Sequence, residues 1–183
     1  MRGTRQQSAG LTLVEIVTVI AIVGIVVGMA TPSFAGLMRD TGRTTAVNGF
    51  IHSLYLARSE AIRRAKVVSI CKSSDGKTCD VRLAAPWNKG WMVFVNRDRD
   101  EPPQRDPNEP VLSVNQGWES GDISSNRRAY SFRPHEQGVV NGTIIFCDPR
   151  GSAHARAIII NHVGRPRISQ RDASNRPLRC SSG

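Results

Sequence analysis

The stretch Ala9-Gly10-Leu11-Thr12-Leu13-Val14-Glu15, which continues as an apolar run to Ala30, decides the fold of the N-terminal part of this chain. Arg2 and Arg5 precede it, and Glu15 is the single charged residue between positions 11 and 30. A helix that rises about 1.5 Å per residue extends about 30 Å over such a run, the thickness of a hydrocarbon core. We therefore predict a membrane-spanning helix over residues 11–30, with its basic flank in the cytoplasm and the rest of the chain beyond the membrane.

The small residues Ala9 and Gly10 stand before the apolar run, whereas the cleavage site of an ordinary secretory signal follows it. This order resembles the signal of type IV pilins, although Leu11 stands where most pilins have phenylalanine. The resemblance implies that residues 1–10 are a leader and that a prepilin peptidase cleaves after Gly10. It also implies that the new amino terminus at Leu11 is methylated and that the apolar helix is kept.

Glu15 is the fifth residue of the chain that this cleavage produces. A carboxylate within a membrane helix is costly, which makes it a candidate functional residue. The pilin resemblance implies that Glu15 pairs with the terminal amine of a neighbouring subunit during assembly. The alternative is a carboxylate at the membrane interface, near the end of the span. Pro32 matches the helix-kinking proline of pilins, since a proline within a helix removes a backbone hydrogen bond.

Length and charge limit the classes of protein and partner. A chain of 183 residues suits one globular domain on a long helix. Its formal net charge is +10, and removal of the leader with Arg2 and Arg5 lowers it to +8. Such an excess suggests an anionic partner, whether nucleic acid, lipid headgroups or an acidic protein face, although a positive surface also serves solubility.

Four cysteines, Cys71, Cys79, Cys147 and Cys180, lie in the part that we expect to be exported. An even number there favours disulfide bonds, and three pairings are open. A zinc site is the competing interpretation. It has little support, because the chain contains no Cys-x-x-Cys and the spacing from Cys147 to His154 is unsuited to a pair of ligands.

Apolar residues recur at helical spacing after Pro32, which predicts that an amphipathic continuation of the helix covers residues 31–64 and lies on a sheet. The positions of this pattern are Phe34, Leu37, Met38, Thr41, Thr45, Ile51, Leu54, Ala61 and Ile62. Residues 65–183 then read as a β-rich globular domain with a basic C-terminal region. Its β-prone runs are 67–71, 79–83, 91–95, 111–114, 129–133, 143–147 and 157–161. One long helix followed by short strands predicts an α+β fold.

Residues 96–110 are charged and rich in proline, which predicts an exposed loop. Asn96, Asp98 and Asp100 alternate as in the first half of a calcium-binding loop. Glu101 and Pro107, however, stand where such a loop needs glycine and a bidentate glutamate. A solvated loop is the better interpretation.

Arginine dominates the positive charge of the C-terminal region. Residues 148–183 contain seven arginines, no lysine and two acids, Asp148 and Asp172. The planar guanidinium matches phosphate oxygens and stacks on bases, which an ammonium does not. Within this region stands Gly164-Arg165-Pro166-Arg167. If this segment is extended, Arg165 and Arg167 point to the same side and can contact adjacent phosphates.

The tetrapeptide resembles the Gly-Arg-x-Arg motif of FimT-like minor pilins, which bind DNA during natural transformation. Further similarities to the FimT/GspH group are Cys71 and Cys79 around 73–76, Gly90-Trp91 before a strand, and 146–151. The resemblance implies a type IV pilin-like fold, DNA contacts at Gly164, Arg165 and Arg167, and the disulfides Cys71–Cys79 and Cys147–Cys180. Charge and proximity extend the DNA-binding set to Arg171, Arg150 and Arg156.

The function implied is that of a minor type IV pilin that binds extracellular DNA through its phosphates, with little sequence preference. Its partners would be DNA, other major and minor pilins, the prepilin peptidase and the inner membrane, and it would later reach the cell surface in the pilus. The alternative is a structural minor pilin, or a GspH-like type II secretion pseudopilin, whose arginines are solvated or pair with acids and neighbouring subunits. The scattered histidines His52, His135, His154 and His162 form no catalytic pattern, and we expect neither an enzyme nor a cofactor nor a metal.

Overall fold

A computed structural model describes residue 10, residues 12–134 and residues 141–180, and for residues 29–33 it describes the backbone alone. The chain divides into two compact units, Met1–Met38 and Arg39–Gly183. Among the described residues, no helix combines the length and the apolar character needed to cross a membrane. Leu11, the first residue of the predicted span, lies outside the described residues.

The longest element is the helix α1, Leu13–Arg64, of 52 residues. Thr12 caps it, because the Thr12 hydroxyl accepts a hydrogen bond from the backbone N–H of Glu15 at 3.3 Å. At the other end Ala65 adopts a left-handed conformation with φ 49°. The N–H groups of Ala65 and Lys66 donate to the carbonyls of Ile62 and Ala61, both at 3.3 Å. This double hydrogen bond closes the last turn, and the predicted helix end at about residue 64 is confirmed.

Two four-stranded antiparallel sheets follow α1. The first has the order β3-β2-β1-β5 and the second the order β4-β6-β7-β8. The strands are β1 Val67–Lys72, β2 Trp91–Asn96, β3 Val111–Asn115, β4 Asp122–Ser125, β5 Ala129–Phe132, β6 Gly142–Cys147, β7 Arg156–Ile160 and β8 Pro166–Ser169. A single 3₁₀ turn, Ser152–His154, precedes β7. The predicted α+β fold, a long helix on an antiparallel β domain, is confirmed.

The core of the second unit lies between α1 and the two sheets. The helix buries Ala46, Val47, Phe50, Leu54, Ala57 and Ala61, which recur at helical spacing. The ring of Phe50 contacts those of Trp87, Trp91, Tyr130 and Phe146, with centroid distances of 5.1–6.4 Å. The predicted apolar face was only partly right, since Phe34, Leu37, Met38 and Ile62 are each about 60% exposed.

The strand predicted at 79–83 is wrong. Of these five residues only Asp80 pairs with β1, through an isolated bridge to Lys72. Lys72 is buried, and its ammonium donates to the carbonyls of Arg82 and Ala85, which holds this segment in a turn. Burial lowers the pKa of Lys72. Two other segments, Asp122–Ser125 and Pro166–Ser169, form strands instead. Each has four residues and includes polar ones, so neither was recognised as a β-prone run in the sequence.

The loop predicted over residues 96–110 begins one residue later, because Asn96 ends β2, and one of the acids of this loop is buried. The Glu109 side chain accepts hydrogen bonds from the backbone N–H groups of Arg97 and Asp106, the second at 3.0 Å. Asn96 donates to the Asp100 carboxylate at 3.0 Å. These acidic and amide side chains therefore form hydrogen bonds with the backbone of the loop and with one another. Within the described ranges, no three metal-binding side chains cluster in an arrangement that could hold a metal ion.

Candidate nucleic-acid interface

The turn at residues 161–165 joins β7 to β8 and presents the first arginine of the motif. The Asn161 N–H donates to the Arg165 carbonyl at 3.2 Å, and the Gly164 N–H donates to the Asn161 carbonyl at 2.9 Å. The Asn161 side-chain oxygen also accepts hydrogen bonds from the N–H groups of Val163 and Arg165, at 3.1 and 2.9 Å. Four hydrogen bonds therefore fix this three-residue hairpin loop.

Gly164 has a physical reason to be glycine. Its φ is 74°, in the left-handed region that side chains disfavour. A Cβ on Gly164 would also lie 3.0 Å from Cε1 of the Phe132 ring. The glycine of the motif thus shapes the turn, and its own contribution to an interface is limited to backbone.

The second arginine of the motif lies on β8, at the edge of the second sheet. Arg167 is opposite Ile159, and Arg165 continues the same ladder two residues earlier, opposite Asn161. Side chains two apart on an extended strand share a face. Both arginines are exposed, and among the described residues neither guanidinium has a hydrogen bond or an ion pair. The structure therefore brings two available guanidinium groups together on a rigid hairpin.

Two residues outside the C-terminal region hold this turn. Arg58 of α1 donates from Nη1 to the Val163 carbonyl at 2.9 Å, and Phe132 at the end of β5 packs against Gly164. Arg58 is only one of several polar positions along α1, so the sequence pattern did not single it out. Its partner is 105 residues away, so no local pattern reveals it.

A second turn, at residues 172–176, has the same hydrogen-bond pattern. The Asp172 side chain accepts from the N–H groups of Ser174 and Arg176, both at 2.8 Å, and Asn175 replaces glycine with φ 63°. Here the arginine is paired, because Arg176 donates from Nε to the other Asp172 oxygen at 2.8 Å. Hydrogen bonding, first from the Arg176 backbone, lowers the pKa of Asp172. Arg171 beside this turn is exposed and donates to the Asn175 carbonyl at 3.0 Å.

Arg150, which the sequence analysis placed in the extended DNA-binding set, belongs to an ion-pair network of the fold. It donates to Asp148 and to Asp40 of α1, each at 2.6 Å, and its side chain is 17% exposed. Arg43 joins the network through Asp40 at 2.8 Å and Asp148 at 3.1 Å. Arg150 holds the pKa of the buried Asp148 carboxyl at about 2. Because its Nε and Nη2 donors already bind carboxylates that attach α1 to the end of β6, we expect Arg150 to contribute less to DNA binding than Arg165 and Arg167.

Arg156 is intermediate between the exposed, unpaired Arg165 and Arg167 and the ion-paired Arg150. It starts β7, is partly buried, and donates from Nη1 to the Ala155 carbonyl at 2.9 Å. The same Nη1 lies 3.4 Å from the His154 carbonyl oxygen, so the three N–H donors on Nε and Nη2 are those without an acceptor among the described residues.

Both sequence-local disulfides are present. Cys71–Cys79 closes a loop whose Asp75 side chain accepts hydrogen bonds from the N–H groups of Lys77 and Thr78. Cys147–Cys180 joins the end of β6 to the C-terminal segment and encloses both arginine-bearing turns. It lies in a small apolar cluster with Ala155, Ala157, Ile159 and Leu178, which anchors the segment beyond β8.

The predicted processing and assembly residues lie at the N-terminus. Gly10 is exposed, and Leu11 lies outside the described residues. Glu15 is in the first turn of α1, where the positive end of the helix dipole favours a carboxylate. Within the described part of the chain Glu15 forms no ion pair, and its N–H bond to Thr12 is the capping contact described above.

Comparisons with known proteins agree with this architecture. Residues 46–164 match the family described as type II transport protein GspH, and residues 5–31 match the prokaryotic N-terminal methylation motif. Two crystal structures of the type IV minor pilin FimU from Pseudomonas aeruginosa are similar, with TM-scores of 0.52 and 0.51 and identities of 17% and 18%. Each similarity covers 75% of this chain, and 98% or 93% of the FimU chain, and concerns the fold. No curated protein matches the chain.

Proposed function

Because the chain belongs to the type II transport protein GspH family and carries a prokaryotic N-terminal methylation motif, we propose that it is a minor type IV pilin that binds extracellular DNA for uptake during natural transformation. Membership makes it a non-enzymatic pilin-like subunit that is anchored in the inner membrane and assembles with other pilins. The DNA-binding part of the proposal rests on residues beyond the family match, which ends at residue 164.

The observation that carries the proposal is a pair of arginines on the 161–165 turn and β8 whose guanidinium groups have no partner within the part of the chain that the structure describes. Arg165 and Arg167 share a face, are exposed and are fixed by a hydrogen-bonded hairpin. Because the hairpin fixes the backbone, binding to phosphate oxygens costs side-chain entropy alone, and the planar guanidinium fork limits that cost for each hydrogen bond formed. Phosphate contacts carry no base information, so the binding has little sequence preference. Arg171 and Arg156 flank the pair with some of their donors engaged, and they make smaller contributions.

A direct test compares the full-length protein with the variant Arg165→Gln/Arg167→Gln in nonionic detergent, using fluorescence anisotropy with two unrelated DNA duplexes. We expect the variant to bind both sequences at least tenfold more weakly at about 0.1 M salt. The slope of log affinity against log salt should fall by about 1.8, since each lost phosphate contact removes about 0.9. Lysine at both positions should restore the slope and only part of the affinity.

The matched control removes two exposed charges elsewhere, in the variant Arg39→Gln/Lys66→Gln. It should keep most of the affinity and the salt slope. In cells, the double glutamine variant at 165 and 167 should still assemble into pili and fail in DNA uptake. Equal binding by the wild type and this folded variant contradicts the proposal.

The second candidate function is a structural minor pilin, or a type II secretion pseudopilin, that primes filament assembly without binding DNA. The family match favours it, because the match covers residues 46–164 and the two arginines lie outside it. In that case the glutamine variant at 165 and 167 has normal DNA uptake, and deletion of the gene impairs assembly or secretion.

We also propose that prepilin peptidase cleaves after Gly10, that Leu11 becomes the methylated N-terminus, and that Glu15 pairs with the N-terminal amine of a neighbouring subunit. Support comes from the methylation-motif match over residues 5–31. Mass spectrometry of the mature protein should give a methylated N-terminus at Leu11. A bulky residue at position 10 should block maturation, and Glu15→Gln should be processed yet assemble poorly.

A further inference from the structure

A cleft of about 460 Å³ lies on the outer face of the second sheet, between the strands β4 and β6 and the 172–176 turn, and we call it the outer cleft. Ile144 and Phe146 of β6 are buried in the core beside α1, so the alternating residues Thr143 and Ile145 lie on the opposite, outer face and line the cleft. Its volume is within the range of ligand-binding sites in proteins, about 300–1,000 Å³.

The strand register places the outer cleft on the same face as the arginine pair. Thr143 of β6 is opposite Ile159 of β7, and Ile159 is opposite Arg167 of β8. Directly opposite residues share a face, so these three form one row across the outer face, and Arg165 lies on the same face two residues before Arg167. At about 4.8 Å between strands, Arg167 is about 10 Å from Thr143, which is roughly three nucleotides at the stacked spacing of about 3.4 Å.

The outer cleft carries no net charge on the residues that line it. Arg176 donates from Nε to Asp172 Oδ2 at 2.8 Å, and the other described lining residues are uncharged. A phosphate in this cleft meets a neutral ion pair, whereas at Arg165 and Arg167 it meets two exposed positive charges. The cleft therefore suits an uncharged polar part of a ligand whose anionic part binds the arginine pair.

Hydroxyl and amide groups give the outer cleft its hydrogen-bonding capacity. The hydroxyls of Ser124, Thr143 and Ser174 have no hydrogen-bond partner among the described residues. The Asn126 side-chain oxygen accepts from the Thr143 N–H at 2.9 Å, which leaves the two N–H donors of its amide group. A hydroxyl rotates to donate or to accept, so the cleft can bind edges with different donor and acceptor patterns. Ile145, which is partly buried, supplies an apolar surface.

A nucleobase matches this composition. It is uncharged and flat, and it carries hydrogen-bond donors and acceptors along its edge. In a duplex that edge is paired and the faces are stacked, so a base enters a cleft only where it is unpaired. The chemistry of the outer cleft therefore concerns the bases of a single strand or of an unpaired end.

We propose that the outer cleft holds one unpaired base of the DNA strand whose phosphates contact Arg165 and Arg167. The identity of the polymer rests on the proposed function. The hydroxyls of Ser124 and Thr143 bind the edge of the base, and Ile145 packs against its face. This contact adds affinity for a single strand or an unpaired end and adds none for a fully paired duplex. The adaptable hydroxyls accept any of the four bases, so the binding keeps little sequence preference.

The test uses the full-length protein in nonionic detergent and the cleft variant Ser124→Ala/Thr143→Val. The matched control, Thr44→Val/Ser59→Ala, removes two exposed hydroxyls from α1, on the other side of the sheets. Fluorescence anisotropy is measured over a range of salt concentrations with two single-stranded 12-mers. One consists of thymidine nucleotides, and the other has the same phosphates on sugars that carry no base.

We expect the wild type and the control to bind the thymidine 12-mer about tenfold more tightly than the abasic 12-mer, since the base adds at least two hydrogen bonds. The cleft variant should bind both 12-mers about equally, and its salt slope should equal that of the wild type, because the hydroxyls carry no charge. Ser174→Ala, which leaves both strands unchanged, should lose part of the tenfold ratio. A fully paired duplex should bind the wild type and the cleft variant equally.

The outcomes separate the two proposals. If the wild type binds both 12-mers equally, or the cleft variant keeps the tenfold ratio, the base site is overturned. The proposed function still stands in that case if Arg165→Gln/Arg167→Gln weakens the binding of both 12-mers. If the cleft variant loses the ratio while this arginine variant binds as the wild type does, the base site stands and the role of the arginine pair is overturned. A wild type that binds no DNA overturns both. An equal loss of the ratio in the control overturns the base site. Unchanged thermal unfolding of each variant shows that the fold is intact.

Discussion

The turns at 161–165 and 172–176 share their backbone hydrogen bonds but differ at the first residue, Asn161 in one and Asp172 in the other. In each turn one side-chain oxygen accepts two backbone N–H groups. The second carboxylate oxygen of Asp172, Oδ2, accepts a hydrogen bond from the Arg176 side chain. The other terminal atom of the Asn161 side chain is the amide nitrogen. It is a hydrogen-bond donor and cannot accept a hydrogen bond from a guanidinium. One atom therefore decides whether the arginine that ends the turn is paired or available.

The difference separates two uses of arginine that composition treats as equal. Arg176 stabilises its own turn through an ion pair with Asp172, which neutralises its charge. The Arg165 guanidinium is exposed at the surface. Arg150 is the extreme case of the first use, since it is held between Asp40 and Asp148. The count of arginines in the C-terminal region therefore overstates the charge available to DNA.

The largest effect should come from Gly164→Ala, which changes the turn itself. A left-handed alanine costs about 1–2 kcal/mol, and its Cβ would press on the Phe132 ring. We expect a loss of about that size in the free energy of unfolding, measured by urea denaturation, together with weaker DNA binding. The matched control is Asn175→Gly at the equivalent position, which should change stability by less than about 0.5 kcal/mol. A larger loss in the control than in Gly164→Ala would refute this account of the turn.

Asn161→Asp should convert the first turn into the second. The turn keeps its acceptor oxygen, and the new carboxylate oxygen pairs with Arg165 as Asp172 pairs with Arg176. We expect DNA affinity to fall by about tenfold and the salt slope by about 0.9, with thermal unfolding unchanged. Asn161→Ser is the control, because it retains an acceptor without adding charge. Unchanged DNA affinity in Asn161→Asp would mean that Arg165 makes no phosphate contact.

Arg58→Met should loosen the 161–165 turn without touching DNA. The Val163 carbonyl loses its donor, so the turn samples more conformations and binding costs more entropy. We expect a reduction of about threefold in DNA affinity with nearly the same salt slope, and faster amide exchange at residues 162–165 in NMR spectra. Arg58→Lys should recover part of both. A fall of about 0.9 in slope for Arg58→Met would identify Arg58 as a phosphate contact instead.

The smallest effect should come from Asp172→Asn, the reverse exchange. Arg176 loses its ion pair and becomes available, so we expect DNA affinity to rise by about twofold to threefold and the salt slope to rise. The pKa of Asp172 is held below its ordinary value, so the carboxylate stays ionised as pH falls through the ordinary carboxyl range. The gain should therefore be constant from about pH 5 to about pH 8. A gain that disappears towards pH 5 would show that Asp172 titrates there.

Local patterns predicted much of the fold. The helix end, six of the strands and both disulfides followed from periodicity, turn residues and the cysteine resemblance. The failures have a common cause. The strand expected at 79–83 is curled by the buried Lys72 ammonium, and β8 begins with a proline and has half-exposed side chains. In both places contacts with distant parts of the chain overrode the local preference.

The sequence by itself determined the methylation-type N-terminus, the α+β class and the pair of arginines that follow Gly164, because each is a property of neighbouring residues. Only the tertiary structure decided which arginines are available. Arg150 meets Asp40 across 110 residues, and Arg58 reaches Val163 across 105. A guanidinium is equally charged wherever it lies, and its use depends on which oxygens the fold brings within hydrogen-bond distance.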